Sequence, residues 1–141
     1  MANKINLAFF NAYLELDKIC AQRFDISKSG VTAYISRLVE LRFAPDRSEI
    51  LPKLIKYRNL RNTIAHEVDA FSDLTEITKE DIKWLNQFAK SVEKKRDPIS
   101  RYERKAQRYA IWRKVRLVLI ALGVVAAAVV VVFILKILNI I

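Results

Sequence analysis

An all-α fold is predicted by three features of the 141-residue sequence: it has only two glycines, no Asn-Gly or Asp-Gly hairpin dipeptide, and apolar residues recurring at helical spacing. The expected architecture is a four-helix bundle over residues 1–96, a basic juxtamembrane helix over 97–116, and one transmembrane helix with a short tail over 117–141.

The first helix is expected from about Asn3 to Phe24, turning Ile5, Phe9, Leu16, Ile19 and Cys20 toward a core. Residues Asp25 to Gly30 break it. A second helix is expected over Val31 to Phe43, with Val31, Tyr34, Ile35, Leu38 and Leu41 on one face. After the Ala44-Pro45-Asp46 turn, a third helix would start with Asp46 as N-cap and Glu49 at the capping-box distance, and would reach about Val68. Pro52 falls early enough to be tolerated near its start. The fourth helix opens at Thr78 with Asp81 in the capping-box position and carries Ile82, Leu85, Phe88, Ala89 and Val92 inward. Lys94, Lys95 and Arg96 near its end complement the helix dipole. Asp97-Pro98 stops it, and Ser100 with Glu103 reads as a further capping box opening a helix from Arg101.

No Pro or Gly interrupts that last helix before Gly123, so it is expected to continue into the membrane segment. Leu117 to Leu135 is a run of 19 residues without a polar side chain, ~28 Å as a helix against a hydrocarbon core of ~30 Å. Past it come only Lys136, able to snorkel to the far headgroups, and Ile137 to Ile141, an arrangement resembling that of tail-anchored proteins. Gly123 and Ala127 have the small-xxx-small spacing that lets membrane helices approach, in a segment whose many alanines and valines also pack with lipid.

The net charge of +10 is local. Residues 1 to 93 carry 14 basic and 13 acidic side chains, whereas residues 94 to 116 carry 10 basic and 2 acidic. A nearly neutral domain argues against a general nucleic-acid binder. Arg101, Arg104, Lys105, Arg108, Arg113, Lys114 and Arg116 crowd one flank of the span, which the positive-inside rule keeps cytosolic. Anionic lipid headgroups are the expected partner of these residues, since juxtamembrane cations each contribute ~1 kcal/mol beside a negative leaflet. Topology setting alone is a second reading. RNA binding, with Tyr102, Tyr109 and Trp112 stacking on bases, is a third.

Cys20 is the only cysteine, so no intrachain disulfide can form; with a single His as well, no metal set or cofactor is expected. No phosphate-binding glycine loop or nucleophile elbow occurs. The chemistry-bearing segment is Arg61-Asn62-Thr63-Ile64-Ala65-His66. At ~100° per residue, Leu54, Tyr57, Ile64, Ala65 and Val68 form one apolar arc with Arg61 in its middle. A guanidinium cannot be desolvated alone, so Arg61 must meet an internal carboxylate, a partner chain or an anion. Asn62 and His66, four apart, share the arc's edge. In a cleft these three suit a phosphate, with Arg61 for charge, His66 for proton transfer and Asn62 for positioning.

The run from Tyr57 to Glu67 resembles the HEPN superfamily of small helical domains, marked by an Arg-x4-6-His motif with a polar residue, often Asn, after the arginine; Arg61, Asn62 and His66 match it. The resemblance covers about residues 5 to 93. It implies a HEPN-like bundle and, in active members, metal-independent RNA cleavage by attack of a ribose 2′-hydroxyl on the adjacent phosphate, as in defence or toxin ribonucleases. It also implies homodimers, which makes chemical sense because one histidine does not readily serve as base and acid in one step. The alternative is a membrane-tethered adaptor binding a protein partner, with Arg61 paired to an internal acid and His66 finishing the third helix. Glu67 and Asp69 would raise the proton affinity of His66 under either reading.

Overall fold

The computed structural model describes residues 2–66 and 77–138, all of whose regular structure is helical. Among the described residues five helices run in order: α1 Ala2–Arg23, α2 Gly30–Glu40, α3 Arg47–His66, α4 Lys79–Glu93 and α5 Pro98–Ile137. The chain divides into two compact units, Met1–Tyr102 and Glu103–Ile141.

In the first unit α1 is the central helix, packed against α4, α2 and α3, with α2 also against α3. The expected faces form the core. Phe9, Leu16, Cys20, Val31, Tyr34, Ile35, Leu38, Leu54, Tyr57, Ile64, Leu85, Phe88, Ala89 and Val92 are buried, while Ile5, Ile19, Leu41 and Ile82 pack against them half-buried. A run of aromatic pairs crosses four elements. Phe9 meets Tyr57 edge-on at 5.6 Å, Tyr57 meets Trp84 at 5.4 Å, Trp84 stacks on Phe88 at 5.0 Å, and Phe88 meets Tyr34 edge-on at 5.5 Å. Such pairs add about 0.5–1.5 kcal/mol each beyond the area they bury.

Close approach of α2 to α1 depends on Gly30. A Cβ there would lie 2.1 Å from the Asp17 carbonyl oxygen and 2.2 Å from the Ala21 nitrogen, both backbone atoms of α1. Gly30 therefore begins α2 at a helix crossing, beyond its expected part in breaking α1. Asp17 completes the junction: its Oδ1 accepts from Val31 N–H at 2.8 Å, so a side chain of α1 satisfies a free amide at the start of α2.

Four local expectations are corrected. α2 ends at Glu40 rather than Phe43, because the Arg47 guanidinium donates to the carbonyls of Leu38 (2.9 Å) and Val39 (3.4 Å). Phe43 is left 87% exposed. Asp46 precedes α3 but with φ 57°, and its carboxylate accepts from Arg101 Nη1 at 2.6 Å instead of capping with Glu49. Ala65 is exposed, so the apolar arc of α3 is narrower than its pattern, with Leu60 buried in it. The last helix starts at Pro98, not Arg101. Asp97 is its cap, taking Ser100 N–H at 3.3 Å and Ser100 Oγ at 2.6 Å, with Pro98 at the first position, where its missing N–H costs nothing. The capping box of Thr78 with Asp81 forms as expected. Val68, Glu67 and Asp69 lie outside the described residues.

The chain leaves α1 and α4 through the same turn. Ile26 N–H bonds the Ala21 carbonyl (3.0 Å) and Arg96 N–H the Ser91 carbonyl (2.7 Å), with Asp25 and Lys95 at φ 54° in the left-handed position that glycine usually fills.

Asp97 anchors a buried polar cluster. Its carboxylate accepts from Arg23 Nη1 and from the Tyr34 hydroxyl, both at 2.7 Å, and Arg23 also reaches Ser100 Oγ at 2.7 Å. With Ile99 buried beside it, the first turn of α5 belongs to the core of the first unit. In the second unit, α5 is exposed from Arg104 through Ile134. It is, among the described residues, the helix long and apolar enough to cross a membrane.

Candidate functional site

The site is built on the face of α3 that meets α1. Leu54, Tyr57, Leu60 and Ile64 carry α3 into the core, and Arg61 rides within that stripe, half-buried. Its guanidinium carbon lies 5.8 Å from the centre of the Phe10 ring on α1, in cation–π range. Arg61 Nη1 donates to Asn62 Oδ1 at 3.2 Å, but Nε is buried with no acceptor among the described residues. No carboxylate pairs with Arg61 among the described residues, so the internal acid expected of an adaptor is not found there. Asn62 is exposed at the rim. His66 is the last residue of α3, and its side chain lies outside the described residues, so of the three expected site residues Arg61 and Asn62 are seen together.

Two residues that the sequence reading passed over border Arg61. Phe10 supports it, and Tyr13, one turn further along α1, is buried. Burial pushes the Tyr13 phenol above its ordinary range, Asp17 adds to this, and Arg61 and Arg58 oppose it. Its spacing from Phe10 on the amphipathic α1 was the signal for it. One turn before Arg61 in the same stripe, Tyr57 donates to Asp81 Oδ1 at 2.7 Å, tying α3 to the start of α4. Burial works to raise the Asp81 carboxyl, but the Thr78 backbone N–H and the Tyr57 and Thr78 hydroxyls hold it below its usual value. Cys20 is buried, and desolvation with nearby Asp17 and Asp97 pushes its thiol up to about 12, an inert side chain. The described residues contain no cluster of potential metal ligands.

Of the basic flank, Arg104, Lys105, Arg108, Arg113, Lys114 and Arg116 are exposed, as are Tyr109 and Trp112. Arg101 is instead turned to Asp46.

The profile of a family of unknown function, DUF6548, matches residues 7–118. The chain belongs to that family. No curated protein and no solved structure matches it. The DUF6548 match takes in the Arg61 face on α3, its Phe10 and Tyr13 support on α1, and the basic stretch of α5.

Proposed function

We propose that this DUF6548 chain is a membrane-anchored, HEPN-like endoribonuclease acting as a homodimer. The observation that carries the reading is the Arg61 guanidinium, in cation–π range of Phe10, with a buried unmatched Nε and no carboxylate partner among the described residues. A cation held this way is suited to a phosphodiester, whose charge it would meet with planar donors. In the proposed reaction a ribose 2′-oxygen attacks the adjacent phosphorus and the bond to the 5′-oxygen breaks, leaving a cyclic phosphate. The His66 imidazole of one copy takes the 2′ proton and that of the second gives a proton to the departing 5′-oxygen. Asn62 orients Arg61 and the phosphate. The basic residues from Arg104 to Arg116 would hold the cytosolic side of the anchor against anionic lipid.

The test is cleavage of single-stranded RNA in the presence of a chelator by the full chain in neutral detergent, compared with His66→Ala. A piece ending at residue 96 is unsuitable, because it lacks Asp97, Ile99 and Ser100, which are buried in the first unit. Cleavage lost in the variant supports the reading; equal cleavage by both, or none by either, sinks it. A shallow groove of about 590 Å³ along α3, lined by Leu51, Pro52, Ile55 and Leu60, favours the second reading, an adaptor that docks a protein.

A further inference from the structure

We infer that Arg58 and Arg61 together form a two-guanidinium cradle for a single phosphate group at the α1–α3 seam. The inference rests on reading the Arg61 face as a phosphate site, but not on cleavage.

The two arginines are three residues apart on α3, a spacing that places their Cβ atoms about 5–6 Å apart on one face. Both are half-buried. Arg61 lies against Phe10 of α1 at 5.8 Å, and at ~100° per residue Arg58 sits ~60° from it around α3; both also oppose the rise of the Tyr13 phenol. Neither has a carboxylate partner among the described residues, whereas Arg23 pairs with Asp97, Arg37 with Glu40 and Arg101 with Asp46; Arg47 in turn bonds the carbonyls of Leu38 and Val39. Two like charges one helical turn apart repel, and partial burial strengthens the repulsion by lowering the local dielectric. An anion between them reverses that sign. The buried Nε of Arg61, lacking an acceptor, is the matching deficit of hydrogen bonding. Planar forks suit a tetrahedral phosphate better than ammonium groups would. Phe10 lies 5.8 Å from the Arg61 guanidinium carbon, and the Tyr13 phenol, kept neutral by its surroundings, remains a donor.

The phosphate has two available sources, a nucleic-acid backbone and a phospholipid headgroup. The test follows arginine Nε–H signals by NMR in the full chain carrying His66→Ala, held in neutral nanodiscs and titrated with inorganic phosphate. The expected result is saturable movement of the Arg58 and Arg61 signals together, with Arg58→Ala weakening the Arg61 response on the order of tenfold. Arg58→Lys, which keeps the charge but loses the fork, should fall between them and covers a fold defect in the alanine variant. An Arg61 signal that phosphate leaves unmoved, or moves equally without the Arg58 side chain, overturns the cradle. Movement by an RNA hexamer assigns the site to nucleic acid; movement by phosphatidylglycerol in the disc assigns it to headgroups. Saturable binding together with no RNA cleavage by the chain that keeps His66 would keep the cradle and remove the nuclease, whereas cleavage by that chain with no arginine response would do the reverse.

Discussion

Gly30→Ala should destabilise the first unit strongly, against the ordinary expectation that alanine improves a helix. The intrinsic gain is at most about 1 kcal/mol. Against it, the new Cβ would sit 2.1–2.2 Å from backbone atoms of α1, where ordinary contact begins at 3.4 Å. Backbone cannot rotate away as a side chain can, so α2 must withdraw by about 1.2 Å, and overpacking of this kind costs about 1–3 kcal/mol. The same withdrawal stretches the 2.8 Å bond from Val31 N–H to Asp17 beyond hydrogen-bonding range. Its loss to a charged acceptor adds about 1.5–3 kcal/mol. The net is about 1.5–5 kcal/mol, a large part of a domain's usual 5–15. At about 4–8 °C per kcal/mol for a unit of this size, Tm should fall on the order of 6–40 °C. Near-UV circular dichroism of the full chain in neutral detergent reads the buried aromatics without interference from helicity in the membrane segment. A shift within about 4 °C, or an increase, would refute the claim that Gly30 is required by close approach.

Asp97→Asn should lower stability by about 3–5 kcal/mol in denaturant titrations, because it breaks the buried Arg23–Asp97 ion pair and weakens the bonds the carboxylate accepts from Tyr34 and Ser100. Adding Arg23→Met to it should recover a good part of the loss, and additive losses would count against the pairing. Lys95→Gly should raise stability by about 1 kcal/mol, by relieving a left-handed residue at the end of α4. The Asp81 carboxyl is held low in the folded state, so its contribution is present above its unfolded pKa and is lost as pH falls through the folded value. Asp81→Asn should therefore cost about 1 kcal/mol at pH 7 and flatten the acid limb of a stability–pH profile; an unchanged limb would contradict this.

The buried faces were legible in the sequence because helical periodicity records which side meets the core. The ends were harder. α1 and α4 finish in a glycine-type turn occupied by Asp25 and Lys95, residues that carry no such signal. α5 begins at Pro98 behind an Asp97 cap that is held by partners 63 and 74 positions away, Tyr34 and Arg23, which local pattern cannot reveal. Arg61 was legible for a related reason: a charge inside an apolar arc is an inconsistency that only tertiary contact resolves. Its support by Phe10 and the nearness of Arg58 depend on how α1 crosses α3, a matter of three-dimensional packing.

The Asp97 cluster sets where this protein can be cut and rejoined. A different C-terminal helix grafted on before residue 97 would remove a keystone of the first unit, breaking the Arg23–Asp97 ion pair and emptying the space filled by Ile99. Grafted after Tyr102, the same exchange leaves every member of that cluster in place. The transplantable module thus ends inside a helix rather than at the Asp97-Pro98 junction that looks like a linker.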